Sequence, residues 1–176
     1  MTTTTTTTTA AKTIYIARPI EPTALAQLRD TDDAGRACVP YADEEGGAPL
    51  RCCLRLSGPG EQVALVSYAP LRRWAAGTRA GPGAYDEQGP VFIHAQECDG
   101  PQAADGYPFA RVGALRTVRR YNADGRIVGG RLVEIPDDPT TGFDAAFAEA
   151  FEEPDVALVH VRAVEYGCFH FEVRRP

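Results

Sequence analysis

Three histidines, five cysteines and a set of arginines on strand-like segments hold the chemistry this sequence offers. His94 interrupts the otherwise apolar VFIHA and precedes Cys98 by four residues. His160 and Arg162 stand two apart in VHVRA, as do Cys168 and His170 in CFHFEVR, so each pair shares one face of a β-strand. Such residues suit acid/base chemistry. His94 or His160 would serve as base and Tyr121 or Glu165 as acid, while Arg51, Arg119 or Arg162 would hold an anionic substrate. Cys98 or Cys168 beside a histidine would instead supply a thiolate nucleophile, because an ordinary thiol needs a base or a cation nearby to ionise at neutral pH. A third arrangement gathers His94, Cys98, Cys168 and His170 as the nitrogen and sulfur ligands that zinc prefers. Their spacing matches no metal signature, with neither CxxC nor HExxH present, so no metal and no cofactor is expected.

A plainer account competes with each of these. His94 would be a hydrogen-bonded core histidine and the cysteines small apolar core residues, the common fate of both types. Arginines on the inner side of a sheet would pair with a protein carboxylate rather than with a ligand's. Cys52 and Cys53, read as neighbours on a strand, point to opposite faces, so only one of them would join any site. No GxGxxG, Walker loop, GxSxG or paired-carboxylate motif occurs, which argues against the common nucleotide-binding and hydrolase chemistries.

The elements that must position these groups read as α+β. TIYIAR, from Thr13, alternates like a half-buried strand with Ile14 and Ile16 inward, and Pro22 opens a short helix through Leu25 and Leu28. Thr31 to Ala48 reads as a loop. Arg51 to Leu56 and Gln62 to Tyr68 form a hairpin through SGPGE, and residues 75 to 90, rich in Gly and Pro, form a long loop leading into the strand Val91 to Ala95. A second irregular stretch runs from Asp99 to Pro108. Leu115 to Tyr121 and Arg126 to Glu134 flank NADG as a hairpin. Phe143, Ala146, Phe147, Ala150 and Phe151 fall on one helical stripe, with Thr141 as cap and Pro154 as stop. Val156 to Arg162 and Cys168 to Arg174 close the chain, the latter sending Phe169, Phe171 and Val173 to the core. The expectation is a mostly antiparallel sheet of about seven or eight strands with two helices, the longer one packed on the sheet.

With 176 residues the chain has room for one core of ordinary size, taken as a single domain over 13–176 behind a disordered Thr-rich tail at 1–12. Eighteen basic against 24 acidic residues give a net charge of −6, which disfavours a phosphate backbone and hence nucleic acid as a partner. No apolar run approaches the length of a membrane span. An odd number of cysteines with no secretory segment before them points to reduced thiols and a cytoplasmic location. The expected partner is a small molecule, with self-association into a homo-oligomer left open.

The segments PLRCCLR from Pro49, GPVFIHAQEC from Gly89, RRYNADGRIV from Arg120 and VHVRAVEYGCFHFEVRR from Val159 together resemble the bacterial family known as domain of unknown function 1203, from about Ile14 to Arg175. The resemblance implies a small stand-alone cytosolic domain and supplies no reaction. The family's pattern maps onto Arg51, Cys53, Gly89, Pro90, Phe92, His94, Cys98, Tyr121, His160, Gly167 and Cys168. The chain departs from it at Leu50, where the pattern tends to have cysteine, and at Ala163, where it tends to have asparagine.

The leading functional expectation is a cofactor-independent enzyme acting by acid/base chemistry on a small anionic metabolite, such as an isomerase, lyase or cyclase of specialised metabolism. A non-catalytic ligand-binding or interaction domain is the first alternative. A Cys/His transition-metal protein is the second.

Overall fold

The computed structural model describes residues 14–102 and 106–176. The expected Thr-rich tail lies outside the described residues, as does part of the irregular stretch at 99–108.

Residues 14–17 alternate as expected but with the opposite parity and without strand pairing. Ile14 and Ile16 are exposed, while Tyr15 and Ala17 pack against a core. Helix α1 (Pro22–Leu28) starts at its proline and buries Ala24, Leu25 and Leu28. Strand β1 (Tyr41–Asp43) rises inside the segment expected to be loop. Then come β2 (Pro49–Leu50) and β3 (Arg55–Leu56), which pair with each other around Arg51–Leu54. That tetrapeptide is a turn: the Leu54 N–H donates to the Leu50 carbonyl at 2.9 Å, and Leu54 takes a φ of 58°. Strand β4 (Glu61–Tyr68) pairs with β1 and with β5 (Gly89–His94), and β5 takes β2 as a parallel neighbour with Leu50 opposite Phe92. The first sheet therefore runs β1-β4-β5-β2-β3. The hairpin expected through Ser57–Glu61 does not form, because the turn reverses the chain onto β2 before it can extend into a partner for β4.

Between β4 and β5 the chain forms a helix that sequence reading missed, α2 (Pro70–Thr78), followed by a short 3-10 turn at Gly83–Tyr85. Gly77 and the following Gly-Pro-Gly suggested loop. Pro70 at the helix start and the burial of Leu71 and Ala75 on one face prevail over one interior glycine.

The second sheet is antiparallel throughout, in the order β7-β6-β8-β9. Its strands are β6 (Leu115–Asn122), β7 (Ile127–Glu134), β8 (Val156–Ala163) and β9 (Phe169–Arg174). The β6–β7 hairpin closes as expected. The Asn122 side chain accepts from the Asp124 and Arg126 N–H groups, and Gly125 takes the left-handed φ of 81° that the turn requires. Helix α3 (Pro139–Glu152) lays the expected stripe of Phe143, Ala146, Phe147, Ala150 and Phe151 on this sheet, against Val159, Val161 and Phe171. Its cap is Asp138 rather than Thr141: the carboxylate accepts from the Thr140 and Thr141 N–H groups.

The fold is thus α+β, with three α-helices and nine strands in two sheets among the described residues. One core lies between α1 and the first sheet and a second between α3 and the second sheet. Strand β9 is buried on both faces. Its register against β8 shifts between Val161 and Arg162, and Phe169 leaves the α3 core that Phe171 and Val173 occupy to pack on Tyr68 and His160.

Candidate functional site

The turn after β2 places two adjacent cysteines on the same side, where a strand would have separated them. Leu50, fully buried and paired across to Phe92, fixes the start of the turn. Cys52 Sγ then lies 3.3 Å from His94 Nδ1 and Cys53 Sγ 3.8 Å from it, with the two sulfurs 4.0 Å apart. Cys98 joins them, and the four ligand atoms all lie within 4.8 Å of one another. The His94 N–H donates to Cys52 Sγ at 3.2 Å. On its far edge the imidazole presents Nε2 to Glu61 Oε2 at 3.5 Å and to the Arg55 guanidinium at 3.2 Å, and Arg55 in turn holds Glu61 at 2.7 Å. That guanidinium keeps the Glu61 carboxyl down to about 2. Cys53 is pulled down by the hydrogen bond from Cys52, helped by the Arg55 N–H and by the charges of His94 and Arg55. Cys52, the donor in that bond and buried, is pushed up. A cleft of about 560 Å³ opens over the cluster, rimmed by Glu97 and Asp99.

A larger cleft of about 990 Å³ lies against the other side of the same turn. Leu54, Leu56, Leu65, Phe92 and Phe109 give it apolar walls, and Arg51, Arg55, Arg111, Arg116, Glu165, Tyr166, Cys168 and His170 are its polar residues. Arg51 is 2% exposed. Its Nε donates to the Phe169 carbonyl at 2.7 Å, a second nitrogen donates to the Pro49 carbonyl, and the guanidinium lies over the Phe109 ring. Among the described residues it meets no carboxylate within 4.0 Å, and burial pulls its pKa down to about 10. Every other arginine foreseen as an anion holder has an internal partner: Arg119 and Arg162 both reach Glu87. Arg116 has Glu165 at 3.6 Å and donates to the Phe109 carbonyl. His170, driven down to about 3 by burial and then by Arg51 and Arg116, is neutral, and among the described residues its buried Nδ1 has no partner.

The foreseen residues therefore separate. His94 and Cys98 sit in the thiol cluster; Arg51, Glu165 and Cys168 line the main cleft. The metal set His94, Cys98, Cys168 and His170 is divided between the two, because the turn faces its cysteines to His94 while β9 carries Cys168 and His170 to the other side. His160 and Tyr121 belong to neither. His160 is fully buried, packed 4.8 Å from the Tyr121 ring and 5.1 Å from Phe169, with Nε2 on Glu172 at 3.2 Å. Tyr121 is 1% exposed. Sequence reading missed Cys52, Cys53 and Arg116. The adjacent cysteines were a visible signal, set aside because they were read as strand residues.

The family described as "Protein of unknown function (DUF1203)" matches over residues 47–175. The chain belongs to this family. The family span takes in both clefts and all four residues of the thiol cluster, whereas α1 and β1 precede it. Of the two departures from the family pattern, Leu50 is core and Ala163 lines the main cleft. No curated protein and no solved structure matches the chain. Among the described residues no helix is long and apolar enough to cross a membrane.

Proposed function

We propose that this family member binds a small anionic molecule with a substantial apolar part in the main cleft, Arg51 taking the anion. The observation that carries this reading is a buried guanidinium that meets no carboxylate among the described residues, beside apolar walls. A buried arginine is ordinarily paired, and here a ligand carboxylate is the group that completes it. Arg116, half-neutralised by Glu165, adds positive potential at the same end.

Acid/base turnover belongs to the same cleft. Neutral His170 and the Cys168 thiol are the proton-exchanging groups within the same walls, Glu165 being held as the carboxylate that faces Arg116. This relocates the isomerase, lyase or cyclase chemistry expected of His94, His160 and Tyr121. The five free thiols, with Cys52 and Cys53 unbonded, support a reducing, cytoplasmic setting.

Isothermal titration of the full chain with a panel of aryl and branched-alkyl carboxylates, each beside its neutral amide, tests the binding. Carboxylates should bind at least about tenfold more tightly than their amides, and Arg51→Met should remove that preference. Equal affinity for acid and amide, or an unchanged preference in Arg51→Met, would refute it. Deuterium wash-in to a bound carboxylate, lost in His170→Gln, separates turnover from binding alone.

A further inference from the structure

The geometry points to a zinc site of three thiolates and one imidazole formed by Cys52, Cys53, His94 and Cys98. A tetrahedral zinc ion with Zn–S near ~2.3 Å and Zn–N near ~2.05 Å spaces its ligand atoms about 3.8 Å apart for sulfur pairs and about 3.6 Å for sulfur and nitrogen. The sulfur pair here stands at 4.0 Å and the two sulfur–nitrogen pairs at 3.3 and 3.8 Å. The three edges are close to tetrahedral before any ion is present, and all four donors fit inside 4.8 Å.

The surroundings carry an independent mark of a metal ligand. A metal-bound histidine usually gives its other ring N–H to a carboxylate, which fixes both tautomer and ring orientation. His94 turns Nδ1 to the sulfurs, while Nε2 lies 3.2 Å from an Arg55 nitrogen, which can only donate to it, and 3.5 Å from Glu61 Oε2, whose carboxylate is itself held by Arg55 and by the Gly58 N–H. With Nδ1 on the ion the ring proton resides on Nε2, and Glu61 is the acceptor it then takes in place of the Arg55 donor. The His94 N–H directed at Cys52 Sγ stabilises a thiolate there, and Arg55 sits where it balances the net negative charge of three thiolates around a divalent cation. A shell of four protein ligands leaves no open position for substrate, so the role is structural. The ion staples the Arg51–Leu54 turn to the end of β5 and to the loop that carries Cys98, and so holds in place the turn from which Arg51 reaches the neighbouring cleft. Sequence reading expected no metal because the spacing matches no metal signature, and the set it weighed lacked Cys52 and Cys53, which it placed on opposite faces of a strand.

The test uses the full chain, purified reduced and metal-free, titrated with cobalt(II) and back-titrated with zinc. One equivalent of cobalt should bind with the visible bands of a tetrahedral ion and a strong thiolate-to-cobalt charge-transfer band, and zinc should displace it. Cys98→Ser, at a half-buried position after β5, should weaken binding at least tenfold and reduce the charge-transfer band. Glu61→Gln should weaken it about 10-fold to 100-fold with the band intact. Cys38→Ser, outside the cluster, should bind as the parent does. No cobalt bands in the parent, or a spectrum and affinity unchanged in Cys98→Ser and His94→Ala, would overturn the assignment.

Discussion

Arg51→Met should leave the ligand-free protein about as stable as the parent, although it removes a buried, hydrogen-bonded side chain. Burial brings the Arg51 pKa down from its ordinary value to about 10. A base whose folded pKa lies below its unfolded value destabilises the fold wherever it is charged. The penalty is therefore full below the folded pKa and fades as pH rises above about 10. At about 1.36 kcal/mol per unit this amounts to roughly 3 kcal/mol at neutral pH. Methionine keeps much of the side-chain volume and gives up two hydrogen bonds, to the Phe169 and Pro49 carbonyls, each worth about 1.5 kcal/mol because the donor is charged. The balance is close to zero, a change in Tm of no more than about 2–4 °C for a chain of this size. If Arg51 were instead half of an internal ion pair, its removal would cost about 3–5 kcal/mol and strand a buried carboxylate. Urea unfolding at pH 7 of parent and variant, compared at equal m-value, distinguishes the two. A loss of more than about 2 kcal/mol would refute the idea that Arg51 awaits an external anion.

Two further substitutions probe other parts of the fold. His170 is neutral when folded, near a pKa of about 3, but takes up a proton below about 6.5 when unfolded, so stability should drain away as pH falls through that window; at pH 5 the loss is about 2 kcal/mol. Urea midpoints at pH 7.5 and 5.0 should therefore draw together in His170→Gln by that amount, and an equal spread in variant and parent would contradict the assignment. Gly142→Ala, which by helix propensity should stabilise α3 by about 1 kcal/mol, should instead destabilise it by about 1–3 kcal/mol. A Cβ at Gly142 would lie 2.5 Å from Pro136 Cδ, and a raised Tm in the alanine variant would show that the Pro136 turn yields.

The sequence by itself determined the local pieces. The stripe from Phe143 to Phe151 could form only one helix with one apolar face, and Asn122–Gly125 could only turn a hairpin, because both depend on contacts a few residues apart. Arg51 was recognisable as an arginine in need of an anion, but so were Arg119 and Arg162. Only the tertiary structure decided among them, by bringing Glu87 to two and leaving the third without a carboxylate among the described residues. It also decided the thiol cluster. Residues 52 and 53 meet 94 and 98 because β2 lies parallel beside β5 and the intervening chain turns rather than extends. That pairing is held by Leu50 opposite Phe92, a contact between segments some forty residues apart with no local pattern to announce it. Strand β9 shows the same limit: its alternation was legible, but the register shift that moves Phe169 to the other core arises only from its pairing with β8.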